Sequence, residues 1–238
     1  MRKFAAALFS CLALLCAVIA ALCRSIVSTA ADGQLYCAGF AACGDTQSMG
    51  VPASQYDAIA QALGSYFSGE SDSPQVQILK GGVSSDAFNE KELQHLSDVR
   101  ALLQTLRIVG SVLLSSAAVL FCLLFLPWLR SSLSVRTLAR CMLLGWAAAA
   151  VLLAAVGIWA AVDFNSLFVL LHRLVFSNNL WLMDPQTDLI ILLMPESFFV
   201  LLSAHLLQIL LKLLWPLGIL LAVLLYFSFK PMKSGESK

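Results

Sequence analysis

Charge is scarce in this chain. Only 12% of its 238 residues are Asp, Glu, Lys or Arg, about half the share expected of a soluble domain. Lys and Arg number 15 against 14 Asp and Glu, so no basic excess exists to attract nucleic acid. Histidine is rarer still, with three in all. There is no Gly-x-Ser-x-Gly, no His-Glu-x-x-His and no Cys-x-x-Cys. Serine hydrolases, zincins and thiol oxidoreductases therefore lack support. No glycine loop fits a phosphate either, and Gly81-Gly82 reads only as a turn. The seven cysteines are no disulfide framework. Cys11, Cys16, Cys23, Cys122 and Cys141 lie in or beside apolar blocks, where a thiol behaves as a small hydrophobe. Cys37 and Cys43 are the two placed to pair, and a disulfide is permitted outside the cell.

What is abundant is hydrophobic sequence, 60% of the chain, much of it gathered in four uncharged blocks. A bilayer core takes about 20 apolar residues as helix. Residues 4–23 form the first expected span, 108–129 the second and 141–162 the third, where Gly145 and Gly157 offer close packing on a neighbour. Residues 213–229 form a short fourth span, with Lys212 and Lys230 free to snorkel and Pro216 in its first turn. Ser28-Thr29-Ala30 has the small residues of a signal cleavage site, but the apolar run before it is long for a signal and reads as a retained span. The expected fold is an all-α membrane protein of four transmembrane helices, with an extracellular cap built from two outer segments.

The basic residues give the orientation. Arg2 and Lys3 precede the first span. Arg130, Arg136 and Arg140 occupy the 130–140 connection, and Lys230, Lys233 and Lys238 the 230–238 tail. The 24–107 segment holds five basic and nine acidic residues, and 163–196 one basic and four acidic. Both termini and the basic connection are thus expected in the cytoplasm of a multi-pass protein, with the acidic segments 24–107 and 163–212 outside.

The first outer segment is too long to lack structure. Residues 32–50, rich in glycine, read as loop. Ser54 is placed to cap a helix carrying Tyr56, Ile59, Ala60, Leu63 and Phe67 and stopped by Gly69. Residues 74–80 alternate as a strand. Asn89 and Glu92 form a capping box for a helix that runs unbroken into the second span. The second outer segment mixes Phe, Leu and Trp with polar residues, and Pro185 and Pro195 break it into pieces. It reads as interfacial or re-entrant, with Trp181 at the headgroups.

The chemistry-bearing residues fall in two groups. His95 has Glu92 three residues before and Asp98 three after on one helix face, where a carboxylate can orient the imidazole. His172, Asn178, Asn179, Trp181, Asp184, Asp188 and Glu196 crowd the broken segment, and ionisable groups near membrane depth suggest a site. His205 shares a polar helical stripe with Gln208 and Lys212. His95, Asp98, His172, Asp184 and Asp188 also make a possible metal-ligand set for a membrane hydrolase. A non-enzymatic lipoprotein-binding or transport protein is the third reading.

Glu92-Leu93-Gln94-His95-Leu96-Ser97-Asp98-Val99, together with His172-Arg173-Leu174-Val175-Phe176-Ser177-Asn178-Asn179-Leu180-Trp181-Leu182-Met183-Asp184-Pro185-Gln186-Thr187-Asp188-Leu189-Ile190 and Pro195-Glu196-Ser197-Phe198-Phe199, resembles the bacterial lipoprotein intramolecular transacylase family. Leu96 stands where that pattern has Met and Asn179 where it has an acidic residue. The resemblance implies transfer of the sn-2 acyl chain of a diacylglyceryl-cysteine lipoprotein to its own α-amine, at the outer face of a bacterial cell membrane and with no cofactor or metal. It implies catalytic roles for His95 and His172. One would be the general base, with His172 favoured, and the other would orient the substrate or donate to the oxyanion. Arg173 and Asn178 are further oxyanion donors, and Asp98 or Glu92 is the expected partner of His95. Asp184, Asp188 and Glu196 would tie the rim of a pocket lined by Phe168, Leu171, Phe176 and Trp181. Such a site requires the two imidazoles, 77 positions apart, to converge within about 10 Å.

Overall fold

A computed structural model describes residues 2–124 and 135–229. The chain is mostly helical. Its helices are α1 (Arg2–Ala30), α2 (Gly33–Cys43), α3 (Tyr56–Ser68), α4 (Glu90–Leu123), α5 (Val135–Val162), α6 (Phe164–Val175), α7 (Leu189–Leu193) and α8 (Glu196–Phe229). One hairpin interrupts them, β1 (Gln77–Lys80) and β2 (Val83–Asp86). Among the described residues four helices, α1, α4, α5 and α8, are long and apolar enough to cross a membrane. Much of the 130–140 connection and all of the 230–238 tail lie outside the described residues, as do Arg130 and the last residues of the expected second span.

The described chain divides into two compact units. The first unit draws on residues 1–22, 109–155 and 209–238, and its described residues are nearly all helical. In it Cys11 Sγ donates to the Cys141 carbonyl at 3.7 Å, and Trp146 Nε1 to the Leu214 carbonyl at 2.9 Å. Gly218 lies under the Trp146 ring, which a Cβ would meet at 2.5 Å. Pro216 sits in the interior of α8 and not in a first turn, because the helix begins at Glu196 and carries the His205 stripe directly into the apolar stretch. Large apolar side chains face outward along these helices, among them Leu144 (72% exposed) and Val151 (68%). A surface of that kind is solvated by lipid, not water.

The second unit, residues 23–108 and 156–208, has its own core, including Tyr36, Phe40, Ile59, Leu63, Phe88, Leu189, Leu193 and Phe198. Here the loop expected over 32–50 proves largely helical. Asp32 caps α2 by accepting from the Leu35 N–H at 3.0 Å. Its glycines serve contact instead of breaking the helix. A Cβ at Gly39 would meet the Phe198 ring at 2.5 Å, and one at Gly64 of α3 would meet the Gly33 backbone nitrogen at 2.9 Å. Both cysteines of α2 are thiols. Six helical positions separate them by roughly 9 Å along the axis, beyond the reach of a disulfide.

Ser54 lies within a short 3-10 turn and does not cap α3; Gly69 does end it, at φ 94°. Gly81 and Gly82, at φ 57° and 86°, make the hairpin turn, the geometry that favours two glycines there. Its second strand was not legible in the sequence pattern. Of the two glycines expected to pack closely in the third span, Gly145 approaches Leu14, whereas Gly157 has nothing within 4 Å of an added Cβ. Gly64→Ala should therefore lower stability by about 1–3 kcal/mol, since two backbones would have to part. Gly157→Ala should be neutral or slightly stabilising. Thermal unfolding of the two variants in detergent checks the contrast.

Candidate active site

Both clustered histidines belong to the second unit. Glu90, Lys91, Glu92, Asp98, Arg100 and Arg107 keep the opening turns of α4 ahead of its apolar stretch. The capping box forms as its sequence suggests. Glu92 N–H donates to Asn89 Oδ1 at 3.0 Å, and Asn89 N–H to Glu92 Oε2 at 2.8 Å. The other carboxylate oxygen of Glu92 accepts from the Ile190 N–H at 2.7 Å. One buried side chain thus secures the starts of both α4 and α7. Burial pushes its pKa up, opposed by the backbone N–H groups it accepts from.

Asp188 is the second junction, 1% exposed. Its carboxylate accepts from Lys91 Nζ at 2.7 Å, Asn89 Nδ2 at 2.8 Å, the Asp184 N–H at 2.7 Å and Thr187 Oγ1 at 3.0 Å. Burial works to raise its pKa, but these donors outweigh it and hold the carboxyl down at about 2. Lys91 also donates to the Leu182 carbonyl at 2.7 Å. The polar segment after α6 is thereby tied to the helix carrying His95. Further along, Asn178 Nδ2 donates to Asp98 Oδ2 at 2.8 Å, and Trp181 Nε1 to the Asn178 carbonyl at 3.1 Å.

These ties bring the two imidazoles together, with ring centroids 6.3 Å apart and planes inclined by 29°. That is inside the roughly 10 Å a single substrate could bridge. His172 sits in the last turn of α6, its Nδ1 2.8 Å from the Phe168 carbonyl. A carbonyl only accepts, so Nδ1 carries the proton and Nε2 presents a lone pair. Phe168, Trp181 and Phe176 surround the ring at 3.9, 5.1 and 5.6 Å between centroids. His95 is 8% exposed, and its Nδ1 is buried without a hydrogen-bond partner among the described residues. Burial lowers the pKa of both. His95 falls to about 4, with repulsion from His172 and Lys91 adding to burial and Asp98 opposing it. For His172 the Phe168 carbonyl offsets part of the fall. Burial thus favours the neutral form of both imidazoles.

Neither expected carboxylate partner of His95 bonds to it, because each is engaged elsewhere, Glu92 with Ile190 and Asp98 with Asn178. Leu96 packs in the core at 3% exposure, while Arg173, Asn179, Asp184 and Glu196 are exposed. Asp188 is an internal junction and not a rim tie. Leu171 is half exposed and turns from the aromatic cage, whereas Phe199, 5.0 Å from Phe168, extends it. The possible metal-ligand set does not assemble: among the described residues no three His, Cys, Asp or Glu side chains are grouped to hold an ion. Sequence reasoning misses Lys91, since a lysine between two glutamates reads as a solvated face.

No curated protein matches this sequence. The fold is similar to that of the membrane integral lipoprotein intramolecular transacylase Lit of Bacillus cereus, with a TM-score of 0.69 at 19% identity over 91% of this chain and 95% of that one. Structures of the same Bacillus cereus protein with a histidine replaced by arginine or by alanine give TM-scores of 0.63 and 0.60 at 18% identity. They cover 93% and 92% of this chain, and 93% and 91% of theirs. The family model of the lipoprotein intramolecular transacylase Lit matches residues 11–199, a stretch that holds both clustered histidines, the capping box and the Asp188 junction. The chain belongs to the Lit family, the integral membrane acyltransferases that act as lipoprotein intramolecular transacylases.

Proposed function

We propose that this chain moves the sn-2 acyl group of a diacylglyceryl-cysteine lipoprotein onto the α-amine of the same cysteine. The convergence of the two imidazoles, ring centroids 6.3 Å apart with a lone pair left on His172 Nε2, is the observation that carries the reading. Before the reaction the α-ammonium loses one proton to solvent. The neutral amine then attacks the ester carbonyl, and the C–N bond forms as the C–O bond to the glyceryl oxygen breaks. A second proton leaves the nitrogen as it is acylated and passes to that oxygen, leaving a free hydroxyl. An ester becomes a more stable amide, so no acyl carrier or nucleotide is required. Nucleophile and electrophile belong to one molecule, and good positioning supplies on the order of 7–11 kcal/mol of the barrier lowering.

In this reading His172 Nε2 takes the proton from the amine and returns it to the leaving oxygen. A buried nitrogen without a partner is less costly as a bare acceptor than as an orphaned N–H, which favours the His95 tautomer with its proton on Nε2. His95 then donates to the oxyanion while His172 accepts, giving the pair complementary roles. The second amide proton of Asn178 and the exposed Arg173 are further donors. The acidic outer segments form a cap on the outer face of the membrane, with both termini cytoplasmic.

Because both imidazoles lie below the ordinary histidine value, any inflection from them should fall below about pH 6.5. Above it the rate should climb with ionisation of the substrate ammonium, about pKa 7.7–8.0. The profile of kcat/KM between about pH 5.5 and pH 9, which spans the ordinary imidazole and ammonium values, checks this. The reaction itself is tested with purified protein and a diacylglyceryl lipopeptide. Transfer leaves the mass unchanged and moves an acyl chain to the amine in fragment spectra. Release of free fatty acid would mark a hydrolase instead.

A further inference from the structure

The hairpin has an edge that pairs with nothing among the described residues. Its register pairs Gln77 with Asp86, Ile78 with Ser85, Leu79 with Ser84 and Lys80 with Val83. The Ala87 N–H donates to the Val76 carbonyl at 3.0 Å, which fixes the phase of the ladder. Hydrogen-bonded and non-hydrogen-bonded pairs alternate in an antiparallel sheet. Val76/Ala87, Ile78/Ser85 and Lys80/Val83 are therefore the bonded pairs. Ser84 and Asp86 turn their N–H and C=O groups away from β1, and among the described residues no group pairs with these four. The sheet has two strands only, and Val83, Ser84 and Asp86 are exposed. Val83-Ser84-Ser85-Asp86 has neither the proline nor the lysine that commonly guards a free edge.

We propose that this edge of β2 binds the peptide of the lipoprotein substrate as an added strand. The inference rests on the transacylase reading, which puts the substrate's N-terminal cysteine at the imidazole pair and obliges the following peptide to leave the site. Chain continuity places the edge within its reach. Asp86 precedes Asn89 by three residues, roughly 10 Å at most when extended. His95 follows Asn89 by six helical residues, roughly 9 Å. An extended peptide covers that combined distance, roughly 20 Å, in about six residues. Strand addition grips the main chain and reads no side chain where no pocket is built for one, so the edge would hold peptides of differing sequence.

Two diacylglyceryl lipopeptides test it, one with two residues after the cysteine and one with ten. With the wild-type protein the long substrate should show a kcat/KM roughly tenfold higher, the worth of one or two net hydrogen bonds. Ser84→Pro deletes one outward donor and no bond to β1, so it should bring the long-to-short ratio down to about one. N-methylation of successive amides in the long peptide should weaken it at alternate positions only. Equal rates for the two substrates, an undiminished ratio in Ser84→Pro, or loss without alternation would each show that the edge carries no peptide. Failure of the wild-type protein to convert either lipopeptide would instead overturn the transacylase reading beneath it.

Discussion

His172→Ala should reduce the rate of acyl transfer by a factor on the order of 10²–10⁴, the usual contribution of a positioned general base. The protein should still accumulate in the membrane, because His172 is half-buried and its one strong hydrogen bond, to the Phe168 carbonyl, stays within α6. The truncation leaves a space among Phe168, Phe176 and Trp181 of about the size of an imidazole. Added imidazole should therefore restore part of the rate, which a purely structural role for His172 would not allow. His95→Ala should lose activity as well, since it removes the oxyanion donor that the ring, held against Phe176 at 5.2 Å, would present. Full activity in either variant, read by fragment spectra of lipoprotein N-termini, would be fatal to the two-histidine mechanism.

Asp188→Ala should produce the largest loss of stability. The substitution strands four donors at once, from Lys91, Asn89, Asp184 and Thr187. Breaking a buried pair typically costs about 3–5 kcal/mol. Lys91 is 37% exposed at its side chain and can regain water, so the lower end, about 3 kcal/mol, is expected. Asp188→Asn should recover little, since its amide would direct N–H groups toward the Lys91 ammonium. The pH dependence follows from the sign of the shift. The folded carboxyl titrates at about 2, below its unfolded value of about 3.9. Its contribution is full above pH 4 and is lost as the pH falls toward 2, with the unfolding midpoints of variant and wild type converging over that window of roughly two units. A variant as stable as wild type at pH 7 would show that the junction contributes nothing. The same variant should lose activity, because the Asp188 contacts hold the segment after α6 against the helix of His95.

Local features are legible in the amino-acid sequence alone. The four apolar blocks need only the arithmetic of length and charge. The capping box needs Asn89 and Glu92 three residues apart, and it closes as expected. Gly69 ends α3 and Gly81-Gly82 turn the hairpin because a left-handed backbone favours glycine wherever it occurs. Residues 32–50 look like loop by composition, yet Gly33 and Gly39 are small to admit the α3 backbone and the Phe198 ring, partners far along the chain. Pro216 looks like a helix start because the polar stretch ahead of it hides the continuation of α8.

The site divides in the same way. Which residue types are present, and that two histidines stand among carboxylates and amides in a chain sparse in charge, follows from sequence alone. Which carboxylate serves which donor does not. Glu92 and Asp98 lie one turn on either side of His95, and helical spacing makes them its natural partners. Asn178 and the N–H of Ile190 claim them instead, since a buried backbone or amide donor left unpaired costs more than an imidazole left without a carboxylate. Spacing along a helix sets what can meet. Competition among groups brought from 80 or more positions away decides what does, and only the folded chain settles that competition.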